Sequence, residues 1–365
     1  MQRIDLVVES DLDWSTRTKQ VAAMFDLQRG PSREEWHFDL NLPDEWQVGL
    51  IVGASGSGKS TVARELFGGS IVSFDWNAEQ SVIDGFPISI GIKDVARALS
   101  SVGFSSPPAW LRPFHVLSMG QQFRAELARA LVLDQDLVVV DEFTSVVDRT
   151  VAKIGSAAVS SAVRRSSKKF VAVSCHHDVV EWLQPDWILH MPEGRLEERC
   201  LRRFPDIKLE ISRASRSSWE LFRRDHYLSH SIANSAKCYV ASWDGRLVAF
   251  VAVLSFPHPK RPGYRGHRTV CLPDFQGVGI GNAFSNLIAA AYTAKGVPFR
   301  SVTSHPAMIR HRARSKFWRM FRKPSRIAKR KTESWETASF RRLTASFEYV
   351  DPPNKAAALA LGLLS

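Results

Sequence analysis

Residues 53–61 have the types and spacing that could hold a chain of phosphates. They read Gly-Ala-Ser-Gly-Ser-Gly-Lys-Ser-Thr and fit the pattern Gly-x-x-x-x-Gly-Lys-Ser. Glycines let backbone N–H groups turn toward an anion, and a helix N-terminus adds a favourable dipole. We expect Lys59 to reach the β- and γ-phosphates of a nucleotide and Ser60 to hold Mg²⁺. The predicted phosphate-binding residues are Gly53, Ser55, Gly56, Ser57, Gly58, Lys59, Ser60 and Thr61.

Two predicted elements position this loop. The apolar run Val48–Val52 predicts a buried strand that ends at the loop, and Ser60–Leu66 predicts the helix that follows it. A glycine-rich turn of no function is the alternative. It is disfavoured because strand, loop, Lys-Ser pair and helix are all in register. The first half of the chain is therefore predicted to bind a nucleotide.

A second buried strand is predicted to deliver carboxylates to the same site. Leu137–Val140 is wholly apolar and ends in Asp141 and Glu142. Asp141 is suited to hold Mg²⁺ and Glu142 to activate water, although a simple strand-end turn would look similar. A third apolar strand, Phe170–Ser174, is followed by His176, His177 and Asp178.

These motifs, in this order, resemble those of the ABC-type ATPases. Leu117–Gln121, Leu-Ser-Met-Gly-Gln, is similar to the signature loop of that family, and Ser145–Asp148 is similar to its D-loop. The resemblance covers about residues 1–200. It implies two subunits that sandwich ATP, each phosphate loop being completed by the signature loop of the other subunit. The implied further ATP contacts are Ser118, Gly120, Gln121 and Asp148, and the implied catalytic residues are Glu142, His177 and Gln80.

Several positions depart from the family or leave a choice open. Met119 stands where a second glycine is usual, and Phe143 stands where a proline is usual. The interval between Lys59 and Ser118 is shorter than in most transporter ATPases, which argues against a transporter subunit. For the aromatic that stacks on adenine the candidate is Phe25, with Trp36 as the alternative; either could equally be core. His176 would replace His177 as the switch residue if the alignment is one residue off.

Charge divides the chain into unlike halves. The net charge is +12, but residues 1–200 carry 20 Lys and Arg against 27 Asp and Glu, whereas residues 201–365 carry 29 against 10. Such asymmetry predicts a domain boundary, placed at 195–206, and a second half that meets a polyanion. The predicted domains are 1–200, 201–335 with a basic segment at 310–331, and a C-terminal extension at 336–365, which includes a short apolar helix.

Composition excludes some classes of protein. The chain has no run of 18 apolar residues that could span a membrane, and no signal peptide is expected from residues 1–10, which contain acids and no basic region followed by an apolar stretch. The four cysteines, at 175, 200, 238 and 271, have no metal-binding spacing. A cytoplasmic protein with free thiols is expected.

The second half contains another strand, glycine loop and helix. Cys238–Ser242 and Leu247–Leu254 predict a hairpin around Asp244-Gly245. His267–Leu272 predicts a strand that leads into a glycine-rich loop, and Asn282–Lys295 predicts the helix after it. Three glycines alone are a weak signal. A dinucleotide-binding fold is disfavoured because no βαβ unit with a ribose-binding acid follows.

Gln276, Gly279 and Gly281 resemble the acetyl-CoA-binding motif Gln/Arg-x-x-Gly-x-Gly/Ala of GNAT acetyltransferases. The resemblance covers about 210–320 and implies that backbone amides of the loop hold the cofactor pyrophosphate. The implied acetyl-CoA contacts are Gln276, Gly277, Val278, Gly279, Ile280, Gly281 and Asn282. The strand 267–272 lacks the carboxylate base common in that family, so His305 is the candidate catalytic residue. An ordinary loop histidine is the alternative.

Residues 310–331 hold eleven Lys and Arg and no acid, with Phe317, Trp318 and Phe321 between them. Bases of this kind neutralise phosphates, and aromatics can stack on exposed nucleobases. The alternatives are a solvated face whose aromatics turn into the core, or a surface that meets the acidic first half. DNA or RNA is the favoured partner.

Together the patterns predict an α/β P-loop ABC-ATPase domain followed by an α+β GNAT-like acyltransferase domain. The expected protein is a homodimer that hydrolyses ATP with Mg²⁺ and transfers an acetyl group to a nucleic acid or to a protein bound to one. A transporter ATPase, a non-catalytic nucleic-acid binder and a small-molecule acetyltransferase regulated by ATP are the alternatives.

Overall fold

The computed structural model describes residues 2–10, 14–25, 32–198, 204–228, 230–326 and 343–364. Within them the strands are β1 (Gln2–Ser10), β2 (Ser32–Leu40), β3 (Val48–Gly53), β4 (Leu137–Val140), β5 (Lys169–Ser174), β6 (Trp187–Met191), β7 (Arg195–Glu198), β8 (Glu210–Ala214), β9 (Lys237–Trp243), β10 (Arg246–Phe256), β11 (Gly263–Cys271), β12 (Phe299–Thr303), β13 (Trp318–Arg326) and β14 (Leu343–Tyr349). The helices are α1 (Thr16–Met24), α2 (Lys59–Phe67), α3 (Ile92–Ser101), α4 (Pro107–Trp110), α5 (Met119–Val132), α6 (Arg149–Val163), α7 (Val180–Leu183), α8 (Ile280–Thr293), α9 (Pro306–Arg314) and α10 (Lys355–Ala360).

The chain forms two compact units that do not follow its two halves. Unit one contains residues 1–73, 134–145 and 163–203; unit two contains residues 74–133, 146–162 and 204–365. The helices α3 to α5 and nearly all of α6 therefore belong with the second half of the chain. The boundary expected at 195–206 includes residues 199–203, which lie outside the described residues.

Unit one is built on a mostly parallel sheet with the order β4-β5-β3-β6-β7, in which only β7 is antiparallel. Strand β3 is buried along its whole length, and β5 along almost all of it, as expected for the middle of a parallel sheet. A separate two-stranded antiparallel sheet, β1-β2, contributes Ile4, Trp36 and Leu40 to the same core. The phosphate loop leaves the carboxyl end of β3 and enters α2.

Unit two is built on a seven-stranded sheet with the order β13-β14-β12-β11-β10-β9-β8. Its one parallel pair, β11 with β12, is joined at only two positions, Tyr264 with Phe299 and Arg265 with Arg300. Beyond them β11 runs on to Cys271 and β12 to Thr303 without pairing with each other, so the two strands diverge there. Helix α8 covers one face of the sheet, and residues 216–225 cover part of the other through Trp219 and Phe222.

The hairpin and the end of the chain test two sequence expectations. The hairpin between β9 and β10 turns at Asp244 and Gly245, which both have positive φ, as predicted. The division at 335/336 is corrected. Strand β14 pairs with both β12 and β13, so it belongs to the main sheet and not to an extension. After it, α10 docks on the sheet core through Ala358, and Leu361 and Leu363 follow it into the core.

Two absences hold for the described part of the chain. No helix there combines the length and the apolarity needed to cross a membrane. Cys175, Cys238 and Cys271 form no disulfide, and Cys200 is outside the described residues.

Candidate functional sites

The phosphate loop has a cradle-like backbone. Gly56 and Gly58 have φ of +78° and +82°, a conformation that side chains rarely adopt. The Lys59 Nζ donates to the Ala54 carbonyl at 2.5 Å, so the ammonium folds over its own loop. The Ser57 hydroxyl is buried and has no hydrogen-bond partner among the described residues. A buried hydroxyl without a partner, in a loop of this conformation, fits an anion.

A hydroxyl and a carboxylate meet beside this cradle. The Ser60 Oγ donates to the Asp141 Oδ1 at 3.0 Å, joining the first turn of α2 to the end of β4. Hard oxygen ligands of this type suit Mg²⁺, which is usually held by one or two protein groups together with substrate phosphates. The residues present thus fit the ion that the sequence predicts.

Backbone strain marks the residue expected to activate water. Glu142 has φ of +52° and Thr144 has φ of +70°, values that are uncommon for residues with a side chain. The Ser145 Oγ donates to the Glu142 Oε2 at 2.7 Å, and the Glu142 N donates to the Asp141 Oδ1 at 2.9 Å. The first bond holds the Glu142 carboxylate, and the second ties the Asp141 carboxylate to the backbone of Glu142. Strain of this kind concentrates at functional sites.

Phe143 has a structural reason for replacing proline. Its backbone N–H donates to the Val173 carbonyl at 2.8 Å, a bond that proline cannot make. Its ring is fully buried and meets Phe170 edge-on at 5.8 Å between centroids. The turn after β4 is therefore tied to β5.

The two histidines after β5 occupy different settings. His177 begins a short helical turn, 177–179, and its ring stacks on His190 with centroids 6.2 Å apart. The His190 Nε2 lies 3.1 Å from the Glu197 Oε2. His176 is tied to the strand end by its backbone, whose N–H donates to the Ser174 Oγ.

The two candidate aromatics for adenine are placed differently. Trp36 is 7% exposed and packs directly against the phosphate loop: a Cβ on Gly58 would lie 2.4 Å from its ring. Trp36 is therefore a core residue that supports the loop. Phe25 ends α1 and is 69% exposed, so it is available to a ligand, and its adenine role stays a prediction.

In unit two, the residues expected to form the signature loop make a helix cap. Ser118 caps α5: its Oγ accepts from the Gln121 N, while the Gln121 Oε1 accepts from the Ser118 N. Gln121 is thus committed to the cap, and Met119 beside it is half exposed. Asp148 caps α6 through the N–H groups of Thr150 and Val151. Gln80 lies in an exposed turn, and its N–H donates to the Asn77 carbonyl.

Arg124, on α5, is a buried residue that the motifs did not reveal. It is 2% exposed and donates to three carbonyls, those of Gly103, Pro273 and Asp274. Burial lowers the pKa of Arg124 to about 10, which still leaves it charged at neutral pH. The sequence shows Arg124 only as one cation in a helix that begins at a signature-like loop. Because arginines are seldom buried, this pattern does not predict its burial or its contacts.

The same contact places Asp274 beside the signature loop. A Cβ on Gly120 would lie 3.3 Å from the Asp274 Oδ1. Burial raises the pKa of Asp274, Arg124 lowers it, and the nearby Asp148 raises it further. Helix α5 therefore touches the segment 273–275, which opens the glycine loop of the second half.

The glycine loop itself is half covered. The Gln276 Oε1 accepts from the Ser105 N at 2.9 Å, and the Gln276 Nε2 donates to the Cys271 carbonyl at 2.8 Å. Gly277 abuts Gly103, where an added Cβ would be 3.0 Å away.

The rest of the loop is open. Gly279 has φ of +88°, and a Cβ added to it would meet nothing described within 4 Å; α8 begins at the next residue, Ile280. A Cβ added to Gly281 would lie within 4 Å of only one described residue, Cys271, whose Cβ is 3.4 Å away. Val278 is half-buried against the sheet core, and the Asn282 N donates to the Gly279 carbonyl. The part of the loop that faces the start of α8 remains available to an anion.

His305 lies at the start of α9, just beyond β12. Its Nε2 donates to the Ser105 carbonyl at 2.9 Å, and burial lowers its pKa. The Tyr227 ring contacts the His305 ring edge-on, with centroids 5.2 Å apart. The Tyr227 hydroxyl forms a hydrogen bond with the Thr303 hydroxyl. One ring nitrogen of His305 is therefore occupied by a hydrogen bond. The catalytic role of His305 stays a prediction.

The basic segment does not act as one uniform surface. Arg312 is 3% exposed; it donates to the hydroxyls of Ser285 and Ser301 and stacks on Trp318. Trp318 is 5% exposed, and its Nε1 donates to the Asn286 Oδ1. The expectation that Trp318 stacks on nucleobases is wrong, because the ring is part of the core. Residues 327–331, with three of the eleven cations, lie outside the described residues.

Known proteins resemble the chain over about half of its length. It is 32% identical over 210 residues to the aliphatic sulfonates import ATP-binding protein SsuB 2 of Paracoccus denitrificans, covering 51% of this chain and 83% of that one. It is 28% identical over 191 residues to the energy-coupling factor transporter ATP-binding protein EcfA1 of Geobacillus kaustophilus, covering 42% and 66%. A dimeric bacterial ABC transporter cassette structure aligns with 17% identity, a TM-score of 0.38 and coverage of 46% and 94%. No protein-family model matches the chain.

Proposed function

Because the chain belongs to the ABC family of ATPases, we propose that it hydrolyses ATP as a closing and reopening dimer, and that its second half is an acetyl-CoA-dependent acyltransferase. The ATP part rests on a relative of which the chain covers most of the length. The acyltransferase part rests on the divergence of β11 and β12 beside the glycine loop.

In the proposed ATP site each group of residues has a separate role. The loop amides and Lys59 would bind the phosphates, and Ser60 and Asp141 would hold Mg²⁺, which when bound neutralises phosphate charge. Glu142 would orient a water molecule and take its proton as the water attacks the γ-phosphorus and the bond to the β-phosphate oxygen breaks. The Ser145 hydroxyl fixes the Glu142 carboxylate for that step.

Dimer formation would complete this site. Ser118 and Gly120 stand at the N-terminus of α5, a helix of 14 residues whose dipole favours an anion. In the proposed dimer this end meets the ATP held by the other subunit. Met119 and Val146, which are exposed apolar residues at the signature loop and D-loop, would be covered by the partner.

The geometry of unit two supports acetyl-CoA as the second substrate. Strands β11 and β12 pair at Arg265 and Arg300 and make no pair with each other beyond them, so an amide-containing arm could lie along the edge between them. The glycine loop and the N-terminus of α8 lie at the end of β11, where they can hold a pyrophosphate. A thioester needs both an anion cradle and a slot for its arm, and the divergent strands provide the slot.

Arg124 supports a link between the two activities. It joins α5, which starts at the signature loop, to the segment that opens the proposed acetyl-CoA loop. A movement of α5 on dimer closure would be passed to Pro273 and Asp274. Binding of ATP and of acetyl-CoA would then affect each other by the same factor, as linkage requires.

A transporter subunit is the second candidate, because the relatives are named as import and transporter ATP-binding proteins. The contacts of α5 with 273–275 weigh against it. They place a segment of the same chain on the helix that carries the signature residues. Co-purification of the full chain with an integral membrane protein would favour the transporter.

Replacement of Lys59 by Ala is expected to abolish ATP binding, because it removes the one cation of the phosphate loop. Titration with a fluorescent ATP analogue should show a loss of affinity of at least about 100-fold, the size of effect that removing one charged phosphate contact produces. Arg64→Ala, on the same helix, is the matched control and should bind normally. Unchanged affinity in Lys59→Ala would contradict the assignment of the loop.

A further inference from the structure

We propose that one face of the sheet in unit two binds the backbone of a single-stranded nucleic acid. The surface is formed by Arg261, Arg265, Arg300, Arg319 and Arg322, and we call it the arginine face. The inference deepens the proposed acyltransferase function, on which it rests for the role of the bound strand as acceptor.

Strand register puts these side chains together. Arg265 pairs with Arg300, Arg300 with Glu348, and Glu348 with Arg319. Residues paired across neighbouring strands point to the same face, so these four form a row across β11, β12, β14 and β13. Arg322 pairs with Ser346, two residues before Glu348, and so lies on the same face. The chain collects here cations that are far apart in sequence.

The row has more positive charge than its own acid can neutralise. Glu348 accepts from Arg261, Arg300 and Arg319 at 3.4, 3.4 and 3.1 Å. It is the only acidic residue in β11, β12, β13 and β14 as described. The side chains of Arg261 and Arg319 are 60% and 63% exposed. Three arginines share one carboxylate and two more lie on the same face, so the surface keeps a net positive charge that favours phosphates.

Aromatic contacts at one end of the row favour a nucleic acid over an acidic peptide. Arg300 and Arg265 lie over the Phe256 ring at 5.2 and 5.9 Å. The exposed His258 ring stacks on the same Phe256 ring, with centroids 5.9 Å apart. Flat guanidinium and aromatic groups give unpaired bases a surface on which to stack, and an acidic peptide has no use for it.

The position of the row suits an acceptor. Arg265 and Arg300 are the last paired residues before β11 and β12 diverge. At about 3.3 Å per residue, Arg300 lies about 10 Å along β12 from Thr303 at its end. A strand bound on the arginine face would therefore place a nucleotide within reach of the opening where the thioester is proposed to lie.

The experiment compares two sets of three cations in the full chain. Arg265→Ser, Arg319→Ser and Arg322→Ser together remove charge from the arginine face. Arg310→Ser, Arg314→Ser and Lys316→Ser remove the same charge from α9 and the residues after it. Binding of a fluorescein-labelled 20-nucleotide single strand, as DNA and as RNA, is followed by anisotropy over a range of KCl concentrations. Arg265→Lys, Arg319→Lys and Arg322→Lys together form the charge-retaining variant.

The arginine-face Ser variant should bind at least about tenfold more weakly, and the slope of log affinity against log salt should fall by about 2, since each phosphate contact contributes about 0.7. The α9 variant should lose less than about threefold, and the Lys variant should keep most of the slope. Weakening in the α9 variant alone, no binding by the wild type at low salt, or equal competition by polyglutamate would each overturn the inference.

A separate titration with acetyl-CoA distinguishes this inference from the proposed function. If acetyl-CoA binds and the single strand does not, only the nucleic-acid inference fails. If the strand binds and acetyl-CoA does not, the acyltransferase proposal fails and the arginine face remains a nucleic-acid surface.

Discussion

Replacement of Glu142 by Gln is expected to leave ATP binding intact and to slow hydrolysis by about 100-fold or more, the range typical of a lost general base. Gln keeps the shape of the side chain and can still accept the hydrogen bond from Ser145. It cannot take a proton from water. The variant should accumulate as an ATP-bound dimer, which light scattering after gel filtration would detect.

Ser145→Ala is the matched control for this experiment. It removes the hydroxyl that holds the Glu142 Oε2 but leaves the carboxylate, so we expect a smaller loss, about tenfold. Hydrolysis at the wild-type rate in Glu142→Gln would show that another group activates the water.

Replacement of Arg124 by Leu is expected to destabilise unit two and to disturb ATP turnover together. The change leaves the carbonyls of Gly103, Pro273 and Asp274 without their buried donor, at a cost of about 3 kcal/mol or more. Thermal melting should show a lower midpoint. Because α5 would lose its anchor, ATPase activity should fall even at temperatures where the chain is folded.

The control for Arg124 is Arg97→Leu on α3. Arg97 is 62% exposed and its described ion pair is with Asp94 one turn away, so its loss should change stability by less than about 1 kcal/mol. Arg124→Lys keeps the charge but not the forked donors, and should fall between the two. An Arg124→Leu variant with normal melting and normal ATPase activity would contradict the proposed link.

The elements around both glycine loops were predictable from the sequence. The strand expected at 137–140 has those bounds in the structure, and the strands expected at 48–52 and 170–174 are each one residue longer. Each is a short apolar run bounded by turn residues, so local pattern and tertiary burial agree. The phosphate loop at 53–61 was also predictable, because its backbone conformation depends directly on its own glycines.

The contacts between distant segments could not be predicted in the same way. Linear spacing placed Arg312 and Trp318 in a basic surface, but α9 packs Arg312 against Ser285 of α8, and Trp318 begins β13 with its ring in the core. The arginine face depends on the register of four strands, which a charge count along the chain does not contain. Arg124 likewise acquires its role only from carbonyls about 150 residues away.

The most direct test of the acyltransferase assignment is calorimetric titration of acetyl-CoA into the full chain and into Gly281→Glu. Gly281 lies in the first turn of α8, where an added Cβ has room and a carboxylate suits the helix dipole, so the variant should fold. We expect one acetyl-CoA per chain for the wild type and for Lys59→Ala. We expect no measurable binding for Gly281→Glu, whose carboxylate would repel the pyrophosphate, and only modest weakening for Gly281→Ala. Absence of binding by the wild type, or equal binding by Gly281→Glu, would contradict the assignment of the second half.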